Sequence, residues 1–181
     1  MKKFLCGVGI CLASGSALAN TGTINFYGKV DSSTCPIEIV DPDTGAISNR
    51  LDMGTVFPYQ FDKGPGSEVG NRSFGLRIDP TKCTVSAAKN AYITFNSRYG
   101  ATGMGNVDYG LKPGTGNATG LGLRIRDYTN SVVGHGQETA GYSLSETDIT
   151  TIGFNASYIA TASTVDPGAA ETDIEFVVDI R

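Results

Sequence analysis

The most constraining stretch of this chain is its last fourteen residues, Gly168 to Arg181. Ile174, Phe176, Val178 and Ile180 stand two apart, so in an extended chain all four project from one face. Asp173, Glu175 and Asp179 point the other way, with Val177 the one apolar residue among them. This alternation marks a half-buried β-strand, and it runs to the final residue. Chain ends fray unless something holds them, so a strong strand in this place is expected to be used, inside a sheet or by a partner.

The same period recurs upstream. Ile24, Phe26 and Val30 share a parity, and further strands are predicted over Cys35–Val40, Leu51–Phe57, Ser73–Ile78, Ala91–Phe95, Leu121–Arg126 and Ile152–Ala160. Leu121, Leu123 and Ile125 should face inward with Arg124 and Arg126 outward. Ile152, Phe154, Ala156 and Tyr158 should share a buried face. Turn chemistry bounds each run: Asp41–Gly45, the loop 62–70, the glycine-rich loops 97–106 and 112–120, and the turn Asp127–Asn130. No window sustains a helical period. The expected class is all-β, with two packed antiparallel sheets in one domain.

The front end reads differently. Lys2 and Lys3 precede a short apolar run from Phe4 to Ala13, followed by Ala17-Leu-Ala19. That is the pattern of a secretory signal cleaved after Ala19, giving residues 1–19 as signal and 20–181 as the mature domain. The apolar run is too short to span a bilayer. Losing two lysines and no acids moves the net charge from −4 to −6. A mildly acidic domain without a basic stripe is a poor binder of nucleic acid. Cys6 and Cys11 leave with the signal, so Cys35 and Cys83 remain. In an oxidising compartment they are expected to pair, the competing reading being two free buried thiols.

The inventory for catalysis is thin. His135, the single histidine, lies in a glycine-flanked turn and reads as a solvent-exposed loop residue. Asp41-x-Asp43-x-Gly45 lacks the later ligands and closing Glu of a calcium loop. No nucleophile elbow, phosphate-cradling loop or paired-ligand spacing is present. The sequence predicts no enzyme, no cofactor and no metal.

Seven segments carry a resemblance. They are Gly22–Val30, Cys35, Leu51-Asp-Met-Gly54, Phe74-x-Leu-x-Ile78 with Cys83 beyond it, Gly120–Asp127, Phe154–Thr161, and Pro167-Gly168-Ala-Ala with the terminal strand. In that order the chain resembles the structural subunits of chaperone–usher fimbriae, of the type 1 major-subunit group. Gly168 is fourteenth from the end, where that family's chaperone-recognition motif has its glycine.

The resemblance implies an incomplete immunoglobulin-like β-sandwich that lacks its final strand and is completed by donor-strand complementation. Its acceptor groove would be flanked by Ile24, Phe26 and Val30 on one side and Ile174, Phe176, Val178 and Ile180 on the other. A periplasmic pilus chaperone would fill the groove and hold the carboxylate of Arg181. At the outer-membrane usher the N-terminal extension of a neighbouring pilin subunit would replace it, by β-augmentation. Four or five apolar side chains set an upper bound of about 10 kcal/mol per junction. The implied product is exported through the periplasm to a fimbrium on the bacterial cell surface, where it supports adhesion.

Two departures stand out. Ile180 replaces the family's penultimate aromatic residue. Cleavage after Ala19 leaves only Asn20 and Thr21 before Gly22, shorter than a fibre-forming donor arm; cleavage after Ala13 would lengthen it. A subunit without a donor arm fits the distal tip, which keeps a second reading open: a tip-located adhesive subunit binding a host receptor, either glycan or protein.

Overall fold

A computed structural model of the chain describes residues 35–181. The expected signal and the groove residues Ile24, Phe26 and Val30 lie outside the described residues. Among the described residues ten strands follow one another: β1 (Ile37–Val40), β2 (Glu68–Ile78), β3 (Asn90–Ser97), β4 (Ala101–Thr102), β5 (Asp108–Gly110), β6 (Leu121–Asp127), β7 (Val132–Val133), β8 (Tyr142–Ser143), β9 (Thr150–Ala160) and β10 (Ile174–Ile180). Two antiparallel sheets form. The larger has the order β1-β2-β9-β6-β5-β4, with β7 on the same edge of β6 as β5; the smaller has the order β10-β3-β8.

Alternation builds the core between them. Phe154, Ala156 and Tyr158 from β9, Leu123 and Ile125 from β6, and Leu76 and Ile78 from β2 are buried against Ile93 and Phe95 of β3. The rings of Phe95 and Phe154 meet edge to face at 5.1 Å and join the two layers, the arrangement that ring quadrupoles favour. Arg124 and Arg126 do face out of the sandwich, but both are ion-paired on the sheet surface.

Three expectations need correction. Leu51–Phe57 forms no strand: Asp52 Oδ1 accepts the amide N–H of Gly54, and Gly54 has φ +70°, which breaks an extended run after three residues. β2 begins at Glu68, inside the stretch predicted as loop. It can do so because the register shifts at Gly70 and Asn71, and Gly70 has φ +78°, a bulge that absorbs the turn-like composition. His135 is half-buried, its ring 5.6 Å from that of Tyr109.

Candidate functional site

β10 occupies the predicted residues, and its four alternating apolar side chains share one face. The register places Ile174 opposite Ser97, Phe176 opposite Phe95, Val178 opposite Ile93, and Ile180 opposite Ala91. All four partners are buried, yet the β10 residues themselves remain half-buried and pack against the core rather than within it. Cover over this row is therefore incomplete. Among the described residues β10 has a hydrogen-bonded neighbour, β3, on one side.

Phe176 lies 6.3 Å from Phe95, and Phe95 lies 6.1 Å from Phe74 of β2. Phe74 also stacks on Phe154 at 5.4 Å but stays half-buried, as do Ile37 and Ile39 on the neighbouring β1. Among the described residues β1 pairs with Gly75–Ile78 of β2 at the edge of the larger sheet, and its end is bridged by the turn that follows it, Val40 to Ile47. A row of under-covered apolar side chains thus exists on each sheet: Ile174, Phe176, Val178 and Ile180 on one, Ile37, Ile39 and Phe74 on the other. Sequence reasoning missed the second row, although Ile37 and Ile39 show the same two-residue spacing.

The other two named residues of this end have different surroundings. At Gly168 an added Cβ would stand 2.4 Å from both Ala118 N and Asn117 C. The flanking segment is strapped to that loop by hydrogen bonds from Ala118 N to Ala169 O and from Ala169 N to Gly116 O, both 2.9 Å. Tyr158 Oη donates to Ala170 O at 2.6 Å, and Thr172 Oγ1 donates to Gly110 O at 2.7 Å. Glycine is needed at 168 for close backbone approach, and the strap sets where β10 begins. The backbone of Arg181 pairs with Asn90 in both directions. Its guanidinium binds Glu138 and Asp179 and lies 4.1 Å from the Tyr92 ring centroid. The Glu138 carboxylate, then that of Asp179, raises the Arg181 pKa further above its ordinary value.

Cys35 and Cys83 form a disulfide with Cα atoms 4.8 Å apart. It ties the start of β1 to the loop after β2. On the opposite, outward face of the larger sheet, Arg124 holds the buried Asp108 through Nε–Oδ1 at 2.7 Å and Nη2–Oδ2 at 3.0 Å. Glu68 bridges Arg124 and Arg126 and accepts from Ser157 Oγ at 3.1 Å. The Arg126 hydrogen bond, opposed by burial and aided by Arg124 and Ser157, holds the Glu68 carboxyl below its ordinary value. The charges here neutralise one another, which makes a structural clamp rather than a reactive group. Among the described residues no cluster of three His, Cys, Asp or Glu could hold a metal.

The chain is similar to known proteins over nearly all of its length. The family model described as fimbrial protein fits residues 24–181. The chain is 25% identical to the probable major fimbrial subunit LpfA of Escherichia coli O157:H7, over 97% of this chain and 95% of that protein. It is 27% identical to the type-1 fimbrial protein A chain of Escherichia coli K12, over 95% and 93%. A chain of a solved chaperone–usher pilus superposes with a TM-score of 0.62 at 16% identity, covering 93% of this chain and all of that one.

Proposed function

This chain belongs to the fimbrial protein family, and on that premise we propose that it is a shaft subunit polymerising by donor-strand exchange. Membership makes it a non-enzymatic subunit of chaperone–usher fimbriae, displayed on the cell surface, with an immunoglobulin-like sandwich that lacks a strand. The observation that carries the mechanism is the half-buried inner row of β10, which among the described residues is the outer strand of the smaller sheet. An added strand would hydrogen-bond along β10 and place alternate side chains over Ile174, Phe176, Val178 and Ile180.

The proposed acceptor groove comprises those four residues with Ile24, Phe26 and Val30. Gly168 and Arg181 lie at its ends, where a chaperone would dock. Cleavage after Ala19 would leave no donor arm, so the shaft reading takes the cleavage after Ala13, which leaves a longer N-terminal segment. The front of the chain is proposed as the signal that sends it to the periplasm. There a chaperone would occupy the groove until the usher exchanges it for a neighbouring subunit's N-terminal arm. Likeness to a subunit described as major favours the shaft over the tip. Gold labelling of intact fimbriae checks this: label along the fibre agrees with it, and label confined to the end would move the chain to the tip.

Val178→Asp tests the mechanism. It puts a charge opposite Ile93, a fully buried residue, at a cost of several kcal/mol once a donor strand covers it. Periplasmic extracts should yield the wild-type subunit one-to-one with a chaperone and the variant without one. Recovery of wild type as a stable chaperone-free monomer would sink the reading.

A further inference from the structure

We infer that the stacked aromatic pair Phe57–Tyr59 is a second contact for the neighbouring copy of this chain, next to the groove. The inference rests on the donor-strand reading above and adds the surface on which the donor's folded body sits.

Direction of the donor comes first. Every pairing between named strands in both sheets is antiparallel, so a strand continuing the smaller sheet beside β10 fits as an antiparallel neighbour. It would run from the Ile180 end towards the Ile174 end, and the body that follows an N-terminal arm would emerge there. The Ile174 end can be located by its contacts. Ile174 pairs with Ser97, Ser97 Oγ donates to Gly110 O, Gly110 pairs with Gly122, and the adjoining Leu121 pairs with Ala160. Ala160 O accepts from Gly66 N, just ahead of β2.

The segment 51–61 lies at this same end. Val56 and the carbonyl of Met53 adjoin Gly70, and Arg72 Nε donates to Asp52 O at 3.2 Å. It therefore runs beside the half of β2 that β1 leaves unpaired. Three of the nine exposed large apolar residues among the described ones, Leu51, Phe57 and Tyr59, fall within this segment. This concentration sets the segment apart from singly scattered surface residues. The Phe57 and Tyr59 rings stack 5.7 Å apart at 15° while 50% and 72% exposed. The turn that carries them is tied down. Gln60 Oε1 accepts from Phe57 N at 2.7 Å, Gln60 N donates back to Phe57 O, and Phe61 is buried. Pre-ordered aromatic rings are what central interface contacts are built from.

The test uses the full chain in cells that assemble the fimbria, with a photoreactive benzoylphenylalanine at Tyr59 or, in a second strain, at Val177 of β10. Neither substitution opens the core, since both side chains are exposed. After irradiation of assembled fibres, Val177 should capture the N-terminal arm of a second copy. Tyr59 should capture a peptide from that copy's folded body, giving a band at twice the subunit mass that is lost in dispersed subunits. If Val177 captures the arm while Tyr59 captures nothing, or a different protein, the aromatic contact is overturned and the groove reading stands. If Val177 captures no arm in intact fibres, the groove reading fails and this inference with it.

Discussion

At the scale of single residues, Gly168 shows how a family position can have a packing reason of its own. Its backbone lies so close to Asn117 and Ala118 that a methyl group would meet main-chain atoms at 2.4 Å, and main chain cannot rotate aside as a side chain can. Gly168→Ala should therefore displace the strap that leads into β10 and destabilise the isolated subunit by about 1–3 kcal/mol. Urea unfolding of a subunit complemented with a donor peptide reads this directly. If the variant keeps full stability but loses its chaperone, the glycine serves recognition and not packing. Phe176→Ala tests the opposite kind of residue, one with space around it. Its ring touches Phe95 but is only half covered. Truncation should cost the free subunit about 1 kcal/mol and the strand-complemented one about 3; paired melting curves with and without the peptide measure the difference.

At the scale of elements, the outer face of the larger sheet is clamped by Glu68, which ties β2 to β6 and to Ser157 of the intervening β9. Its carboxyl pKa is depressed below 4.5 by Arg126, Arg124 and Ser157. The folded state therefore prefers the ionised form. The stabilisation is complete above 4.5 and is lost as pH falls through the lower folded value. Glu68→Gln should remove about 1 kcal/mol at pH 7 and flatten the loss of stability as the medium is acidified below the ordinary carboxylate range. A melting series across that window shows whether wild type and variant converge at low pH; parallel curves would refute it. The clamp was half legible. Arg124 and Arg126 were readable as outward residues from the parity of Leu121, Leu123 and Ile125, but Glu68 sat in what composition marked as a loop. Long strands with strict parity, such as β10, β6 and β9, could be read directly because burial on one face imposes the period. The short β5, β7 and β8 could not, because two or three residues carry no period, although each buries one side chain in the core, Tyr109, Val133 and Tyr142. Leu51–Phe57 misled for the complementary reason: Met53 and Val56 do pack on the core, but from an irregular segment whose spacing mimics a strand.

At the scale of the whole molecule, the under-covered rows of Ile174, Phe176, Val178 and Ile180 and of Ile37, Ile39 and Phe74 place the thinnest part of the core along β10 and β1. The disulfide is positioned to compensate. Cys35 lies two residues before β1, and Cys83 lies in the loop after β2, 48 residues away. Closing a loop of this length restricts the unfolded chain by about 4 kcal/mol in the chain-entropy account, and it does so at an edge strand only four residues long. An edge this short, next to a core lacking a strand, rests otherwise on its pairing with β2, the bridge from Val40 to Ile47 and the ion pairs of Glu38 with Arg77 and Lys82. The disulfide should therefore matter most before a donor strand arrives. Once an added strand covers β10's inner row, burial worth up to about 10 kcal/mol supports the same core, and loss of the crosslink becomes tolerable. Cys35→Ser with Cys83→Ser should thus lower periplasmic yield of the free or chaperone-bound subunit several-fold. Fibres assembled with the disulfide and then reduced should keep their length and their resistance to detergent. Quantitative blotting of periplasm from the double variant and electron microscopy of fibres held in dithiothreitol give the two halves of the comparison. Reduced fibres that fall apart while the double variant accumulates normally would reverse the order of dependence and place the main support of β1 in the disulfide even after assembly.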